Sequence, residues 1–511
     1  MPLPPDALGA VASAFADGDP LDGWAWSDNA QSEVLEGLEG VPGARDVMLT
    51  ALVRSPSADT RRHTVYEIQD RNRSSRSAPA RLVPLLGPLL SDQDPTVRRV
   101  AAMALWRAGV TARLVADDLA MLAGTLPPDG APPPGAESAL ATLIELGDAR
   151  WRPTLLAAWR RPPALDEAAG ALRTAAPPAD ADLLTAVSDR IAAMAAAGQV
   201  GDEVDALAAV VSRWEDAAAS SAAPALTAAL QWEVRTERPT PGAICVALAG
   251  LGPAAYPAIP ALRVAATRSF HGHDRVQAAL AVWRLTGDPG PALEVGAVLL
   301  DGANGYDESR QVWLYPETVA HLIPLGPDLA PLEPRLRRHL VEFPERHGAN
   351  CDIARVLWRL GADPDGVLPV LRAGLSFTYL GKPGPPGSAV RAAAELGEHA
   401  TPLLDLLRRA LDAETGWVRA AAAATLVRLG AGDPAELVAV MVPEPRPYHR
   451  WQAFSALEAL DVVAELRLAQ AVPRLDAWLA TDARVQADES DAVRLDERFQ
   501  ARAREVVAAL S

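Results

Sequence analysis

The chain has 511 residues, of which 49% are hydrophobic and only 5% aromatic. Its formal net charge of −17 argues against binding to nucleic acid or anionic lipid along the whole surface, because both ligands attract a cationic face. The two cysteines are isolated and fit neither a disulfide framework nor a zinc site, which favours a reducing cytoplasm.

The N-terminal end is the first element in chain order. Residues 1–50 carry Trp24 and Trp26 and predict an atypical capping repeat, since the end of a helical array must cover its apolar face. This stretch lacks the basic start of a secretory signal. No segment reaches the ~18 uncharged apolar residues that a membrane span needs. We therefore expect a cytoplasmic protein whose main body is residues 51–511.

Residues 54–107 are locally basic within an acidic chain. They contain ten arginines and five acids, and residues 71–81 are the densest part. Guanidinium groups bind phosphates and carboxylates, so this stretch is a candidate site for a phosphate or an acidic peptide. The alternative is that these arginines offset neighbouring acids within the protein. The candidate anion-binding residues are Arg71, Arg73, Arg76 and Arg81.

A helix pair is clearest over residues 82–109. The first apolar helix ends near Leu90, and Asp94 can cap a second helix that has Pro95 at its first position. Apolar residues then recur at three- and four-residue steps until Gly109, which ends the helix. Trp106, Trp283 and Trp358 lie near the ends of such second helices, each followed by arginine. We expect these tryptophans to be largely buried between repeats and the arginines to be more exposed.

A Leu-Gly or Thr-Gly step ends equivalent helices in the second half of the chain. A fixed period in the thirties without strand-like alternation indicates stacked helix pairs. We expect roughly ten to twelve pairs and no β-sheet. Residues 127–240 should be less regular, and a C-terminal cap is expected over about 494–511. The glycines that mark the period are Gly252, Gly287, Gly326, Gly361, Gly397 and Gly430.

A short motif, Asp-x-x-Val-Arg followed by alanine-rich apolar steps, resembles the HEAT-repeat family, particularly its bacterial, phycobilin-lyase-like form. Asp94 and Arg98 match the motif best, Arg419 keeps the Val-Arg pair without the capping aspartate, and Gln277 replaces the arginine in a third unit. The resemblance covers about residues 50–511. It implies an all-α superhelix, a HEAT-like solenoid.

Long loops between first and second helices hold much of the chain's scarce aromatic content. Equivalent loops of a repeat array lie along one edge, so their side chains should form a continuous ridge. Aromatic anchors are typical of protein interfaces, and we expect a protein partner, basic in one version, to bind here. The alternative is that the loops fold their rings back for local packing. The predicted partner-binding residues are Tyr306, Trp313, Tyr315, Phe377, Tyr379, Lys382, Tyr448, His449 and Trp451.

Two segments contain residue types that bind metal ions, but each matches a metal site only in part. The His-Gly-His-Asp segment at 271–274 has suitable side chains, but Asp274 fits a helix cap better and local spacing supplies no second histidine cluster. The acidic segment at 301–308 lacks the spacing and the closing glutamate of a calcium loop. We expect no metal and no cofactor.

The favoured function is a protein-binding scaffold, or an inhibitor of the immunity-protein type whose acidic concave face covers a basic toxin. The alternative is a nucleic-acid-modifying enzyme of the HEAT-like DNA glycosylase type, for which the resemblance implies a basic concave surface. The sequence contains no phosphate loop, nucleophile elbow or helical zinc-binding histidine pair. An enzyme is therefore the less favoured interpretation, and no catalytic residue is assigned.

Overall fold

The computed structural model describes residues 43–127, 131–160, 164–214, 217–236, 242–269, 271–301, 305–307, 312–379, 381–413, 415–445, 453–485 and 492–511. They belong to two compact units. The N-terminal unit combines the chain up to Pro177 with Ala480–Gln500, and the central unit combines Pro178–Leu479 with Ala501–Ser511.

The N-terminal unit is built from short helices joined by tight turns. Its α-helices are α1 (Ala44–Leu52), α2 (Ala58–Ser74), α3 (Ala78–Leu86), α4 (Pro95–Trp106), α5 (Ala116–Ala123), α6 (Ala136–Leu146), α7 (Trp151–Ala158) and α8 (Asp166–Ala175). Segments of 3-10 helix cover Pro88–Ser91 and Gly109–Val115. The helices α2, α4, α6 and α8 pack successively side by side, and they are the second helices of their pairs.

The central unit continues the same arrangement. Its α-helices are α9 (Ala181–Ala197), α10 (Asp202–Val211), α11 (Ala223–Thr236), α12 (Gly242–Gly250), α13 (Ile259–Arg268), α14 (Gly272–Thr286), α15 (Gly290–Leu300), α16 (Glu333–Glu342), α17 (His347–Arg359), α18 (Pro364–Leu375), α19 (Gly387–Leu396), α20 (Leu404–Ala410), α21 (Gly416–Arg428), α22 (Pro434–Met441), α23 (Ala453–Glu465) and α24 (Val472–Ala480). The last helix, α25 (Ala492–Leu510), has residues in both units.

Two features interrupt the α-helical pairs of the central unit. Between α15 and α16 a 3-10 segment, Pro316–Leu332, supplies a second helix and then bends at Gly326. Two short antiparallel hairpins also occur within the described residues, β1 (Gly305–Asp307) with β2 (Val312–Leu314) and β3 (Thr378–Tyr379) with β4 (Lys382–Pro383). The expectation of no β-sheet was therefore too strict, although both hairpins lie in loops.

The glycine period has a clear backbone cause. All six marker glycines have φ between +56° and +86°, the left-handed region that L side chains rarely adopt. A residue in this conformation stops the helix and turns the chain into the next pair. The predicted phase of the helix pairs is therefore confirmed where the structure describes them.

An arginine near the start of several second helices ties down the turn that precedes the helix. Its guanidinium donates to the backbone carbonyl six residues earlier, which would otherwise lack a partner in the turn. This bond explains the arginine of the repeat motif, and Arg275 supplies it in the unit where Gln277 stands at the motif position. The pairs are Arg61–Ser55, Arg98–Asp92, Arg275–Ser269 and Arg419–Ala413, with N–O distances of 2.6–2.7 Å.

Polar contacts also join several second helices to the next one. Arg359 on α17 reaches Glu395 on α19 at 3.1 Å, and Arg428 on α21 reaches Glu465 on α23 at 2.7 Å. The indole N–H of Trp106 on α4 donates to the carboxylate of Glu145 on α6 at 2.9 Å. Because successive helices repeat in the chain, a side chain finds its partner one repeat further on.

The three tryptophans predicted to be largely buried are only half-buried. Trp106, Trp283 and Trp358 have intermediate exposure, while Arg284 and Arg359 are exposed as expected. The indole of Trp358 donates to the backbone carbonyl of Glu395, so its polar edge stays at the seam between two second helices. An indole with a hydrogen-bonding edge favours such a boundary over a dry core. The expectation that the tryptophans are largely buried is therefore met only in part, since they lie at a seam and not in the dry core.

The C-terminal segment 480–500 completes the N-terminal unit. The backbone N–H of Arg76 donates to the carbonyl of Asp482 at 2.8 Å, next to an isolated bridge between Ser75 and Ala483. Further along, Arg494 donates to the backbone carbonyl of Trp106 at 2.7 Å. The segment therefore contacts two successive second helices, α2 and α4.

The carboxylate of Asp496 lies at the centre of the contact between the segment 480–500 and the rest of the N-terminal unit. Its carboxylate is 0% exposed and accepts from Arg76 at 2.7 Å and from Arg484 at 3.0 Å. The backbone N–H of Val485 and the amide of Gln500 also donate to it, at 3.1 and 2.9 Å. The dense set of donors stabilises a carboxylate that burial alone would strongly disfavour.

We predict that Asp496→Asn destabilises the N-terminal unit by about 3–5 kcal/mol, because two guanidinium groups lose their buried counter-charge. Chemical denaturation followed by tryptophan fluorescence would measure the loss. Asp288→Asn is the matched control, since Asp288 pairs with Arg263 at 2.8 Å on the surface and its replacement should lower stability far less. Equal midpoints for Asp496→Asn and the unmodified protein would contradict the account of the docking.

Candidate functional site

Both hairpins occupy connections from a first to a second helix. The β1–β2 hairpin follows α15 and leads into the 3-10 helix at Pro316, and the β3–β4 hairpin joins α18 to α19. Two of the predicted partner-binding residues, Tyr306 and Trp313, face each other in the register of β1 and β2. Tyr379 and Lys382 do the same in β3 and β4. The described parts of these loops therefore form two local hairpins in equivalent positions of their repeats.

The aromatic side chains described at these loops are exposed. Tyr315, directly after β2, is 37% exposed and Phe377, directly before β3, is 39% exposed. The Phe377 ring lies 5.3 Å from the ring of His347 at the start of α17, which holds it against the body of the unit. Tyr448, His449 and Trp451 lie outside the described residues. The partner-binding role of the predicted ridge stays a prediction.

An open groove of about 540 Å³ adjoins the Phe377 loop. Its lining is mostly apolar, with one acid and one arginine, and Ser376 places it directly beside Phe377. Such a groove could accept an apolar side chain next to the exposed ring. The lining residues are Asp365, Leu368, Pro369, Arg372, Ala373, Ser376 and Pro402.

Two of the candidate anion-binding arginines contact acids of the protein itself. Arg76 pairs with the buried Asp496, and Arg81 pairs with Asp46 at 2.6 Å. Burial disfavours the charged form of Asp482, but hydrogen bonds from Ser75 and Ser77 and the charge of Arg71 lower its pKa. Part of the arginine-rich stretch 71–81 thus binds an acidic segment of the protein itself, the C-terminal segment 480–500. Binding of an external phosphate or peptide stays a prediction.

The histidine segment 271–274 differs from its expected arrangement. His271, not Asp274, occupies the cap position of α14, and no side chain there accepts from the helix N-terminus. His273 stacks edge-to-face on His321 of the 3-10 helix, with ring centroids 5.0 Å apart. Across the described part of the chain, no three histidine, cysteine or acidic groups are arranged to hold a metal ion.

A group of carboxyl side chains in the central unit was missed from the sequence. Glu233 near the end of α11 is 2% exposed, while Asp205 in the first turn of α10 and Asp274 in the first turn of α14 are half-buried. Cys245 on α12 is fully buried beside them. We call Asp205, Glu233 and Asp274 the carboxyl cluster. Its members are dispersed along the chain and only the stacking of α10, α12 and α14 unites them.

Burial favours the neutral forms of Glu233 and Asp274. Burial, followed by the charges of Asp205 and Asp274, raises the pKa of Glu233 to about 9. Burial also raises the pKa of Asp274, although His271 and His273 oppose this. The same burial and the neighbouring carboxylates raise the pKa of the Cys245 thiol, so this cysteine is not an activated nucleophile.

The pKa of Glu137 in the N-terminal unit is also raised. This carboxylate has a structural role. Its carboxylate accepts from the backbone N–H of Glu167 at 2.7 Å and caps the start of α8. Burial and the charge of Glu167 raise the pKa of Glu137 to about 7, against the effect of these hydrogen bonds. The Glu137 carboxyl therefore titrates near neutral pH while it accepts a hydrogen bond at the start of α8.

We predict that Glu137 makes the N-terminal unit less stable as pH rises from 5 to 8. The folded pKa lies above the unfolded value, so this group's stabilising contribution is complete below the unfolded pKa and is lost as pH rises through about 7. Glu137→Gln keeps an acceptor for α8 and should remove about 1–2 kcal/mol of this pH dependence. Denaturation midpoints measured at both pH values would test it, and parallel profiles for variant and unmodified protein would refute it.

No family model and no curated protein matches the sequence. Solved structures do match. A crystal structure of importin beta in a polyethylene glycol condition is 13% identical with a TM-score of 0.51, and the match covers 99% of this chain and 74% of that chain. The karyopherin Kap121p bound to the SUMO protease Ulp1p is 12% identical with a TM-score of 0.43, and covers 100% and 67%.

At 13% identity the importin beta match establishes the fold alone. Together with the helix pairs and their glycine phase, it confirms the predicted all-α, HEAT-like solenoid. In the described residues no helix is both long enough and apolar enough to cross a lipid bilayer.

Proposed function

We propose that the protein is a binding scaffold that holds a protein partner on the hairpin loops of its central unit. The observation that carries this proposal is the pair of exposed aromatic rings, Tyr315 and Phe377, each next to a hairpin in an equivalent connection. Only 5% of the chain is aromatic, so exposed rings in two equivalent loops are better explained by a binding role than by composition.

The backbone pairing in these loops supports the same conclusion. The β1–β2 and β3–β4 pairs pre-form the described part of each loop, so less conformational entropy is lost on binding. The groove beside Phe377 adds a concave apolar surface to the exposed ring. Aromatic rings give a large contact area with few rotatable bonds, which suits them to such a surface.

The finer form of the proposal is an inhibitor or immunity-type protein of a bacterial cytoplasm, with a basic protein as its partner. The net charge of −17 supports a basic partner. The alanine-rich motif of the second helices supports the bacterial, phycobilin-lyase-like form of the repeat.

We predict that Tyr315→Ala combined with Phe377→Ala lowers partner capture by roughly 10- to 100-fold, because two interface anchors are lost. Capture from a lysate of the native host would be quantified by mass spectrometry. A separate variant with a photo-crosslinking residue at position 377 would identify the bound protein. The double variant should keep the helicity and thermal midpoint of the unmodified protein, since the two rings are exposed.

The matched control removes two exposed tyrosines elsewhere, Tyr66→Ala with Tyr256→Ala; these side chains are 48% and 50% exposed. Capture should survive this change. If the control lowers capture as much as the loop variant does, or if neither lowers it, the partner binds elsewhere and the proposal fails.

A further inference from the structure

The open groove beside the Phe377 loop is formed almost entirely by one first helix. Six of its seven lining residues belong to α18 or to Ser376, the C-cap of that helix. The seventh, Pro402, lies in the 3-10 segment Gly397–Leu403, which leads into α20. All seven side chains are exposed or half-buried, so a ligand can reach them from solvent.

The groove carries opposite charges at its two ends. Asp365 lies in the first turn of α18 and Arg372 in its last turn. Residues seven positions apart share one side of a helix and are separated by about 10 Å along its axis. Leu368 and Pro369 lie between them and also line the groove. The exposed side of α18 is therefore an apolar strip with an acid at the start and an arginine at the end.

These two charges are available to a ligand. Asp365 and Arg372 are too far apart along the helix to pair with each other, because side chains on one helix meet at spacings of three or four. Neither forms an ion pair with another residue in the part of the chain that the structure describes. The first helices on either side differ, since each pairs an arginine within the helix. Those pairs are Arg337–Glu333 on α16 and Arg408–Asp405 on α20, at 2.8 and 2.9 Å.

The guanidinium of Arg372 is held at the edge of the groove. One of its N–H groups donates to the backbone carbonyl of Pro402 at 3.2 Å, across the groove from α18. A guanidinium has five N–H donors, so this contact fixes its position and leaves donors for a carboxylate of a ligand.

The order of the charges selects the direction of a bound helix. Helices in general favour acids in the first turn and bases in the last turn, because these positions complement the helix dipole. A partner helix that runs antiparallel to α18 places its acidic first turn opposite Arg372 and its basic last turn opposite Asp365. A parallel helix would place like charges opposite each other at both ends.

We propose that this groove binds an amphipathic helix of the partner protein, antiparallel to α18. The apolar face of that helix packs on Leu368, Pro369 and Ala373, and its terminal charges pair with Arg372 and Asp365. This inference rests on the proposed scaffold function and names the structural element by which the partner is recognised. The exposed Phe377 ring, next to Ser376, extends the apolar surface at the end of the groove.

The test uses the full chain and two fluorescent, hydrocarbon-stapled helical peptides of equal composition. Both present leucines on one face; the first has Glu near its start and Lys seven residues later, and the second has these two residues exchanged. Stapling keeps both peptides helical, so a difference in affinity reports the charge order. Fluorescence anisotropy should show about fivefold tighter binding of the first peptide, and this preference should shrink at high salt.

Two variants locate the binding in the groove. Asp365→Arg combined with Arg372→Asp should reverse the preference between the peptides. Ala373→Trp fills the groove and should weaken binding of both peptides by at least about tenfold. Ala193→Trp is the matched control, an exposed alanine on α9, another first helix of the central unit, and it should bind as the unmodified protein does. Circular dichroism should show unchanged helicity in all three variants, because the replaced side chains are exposed.

Several results would overturn the groove proposal. They are the absence of binding by the first peptide at about 1 mM, equal binding of the two peptides, a preference that the charge exchange does not reverse, and full binding by Ala373→Trp.

Failure of the groove and failure of the loop surface give different results. Charge-ordered peptide binding, with partner capture that is insensitive to the Tyr315 and Phe377 replacements, would keep the groove and remove the loop surface. Loop-dependent capture without charge-ordered peptide binding would do the reverse.

Discussion

Successive second helices pack side by side through alanine, and the rest of the structure depends on this contact. On α14, Ala278, Ala279 and Ala281 are at most 1% exposed. Small side chains let neighbouring helices approach closely, and alanine costs no side-chain entropy when it is ordered. Close approach in turn sets the distance across which Arg359 reaches Glu395 and Arg428 reaches Glu465. The loops and the carboxyl cluster are positioned by the same stacking.

Arginine is the cation that this fold uses, and it serves three different purposes. It closes the turn before a second helix, as in Arg98; it joins neighbouring repeats, as in Arg428; and it neutralises buried acids, as in Arg190. A chain with so many arginines committed to internal acids presents less free positive charge than its composition implies. This distribution leaves less free positive charge for binding phosphate.

The sequence predicted the parts of the fold that depend on local signals. Glycine stops a helix wherever φ must be positive, so the period of Gly287, Gly326 and Gly361 located the helix ends correctly. The turn-closing arginine was only partly recognised, because Arg275 stands one residue before the motif's valine rather than after it. Arg98 and Arg275 are nonetheless both the fourth residue of their helices, and each donates to the carbonyl six residues earlier.

Non-local contacts could not be predicted in this way. The contact of Asp496 with Arg76 joins residues 420 positions apart, and neither segment contains a local pattern that predicts it. The carboxyl cluster was missed for the same reason, since Asp205, Glu233 and Asp274 meet only after three second helices have stacked. The half-burial of Trp106 depends on Glu145 in the next repeat, which the apolar pattern of its own helix does not contain.

The part played by residues 480–500 in the N-terminal unit has a consequence for protein synthesis. The ribosome makes about 300 residues between Pro177 and Ala480, so the N-terminal helices emerge long before the segment that completes them. At ordinary translation rates the delay is roughly 15–60 s. Throughout that time Arg76 lacks its buried counter-ion, and the surface of α2 and α4 that later receives the segment is open to chaperones. Maturation of the first repeats thus ends only after residues 480–500 have been made.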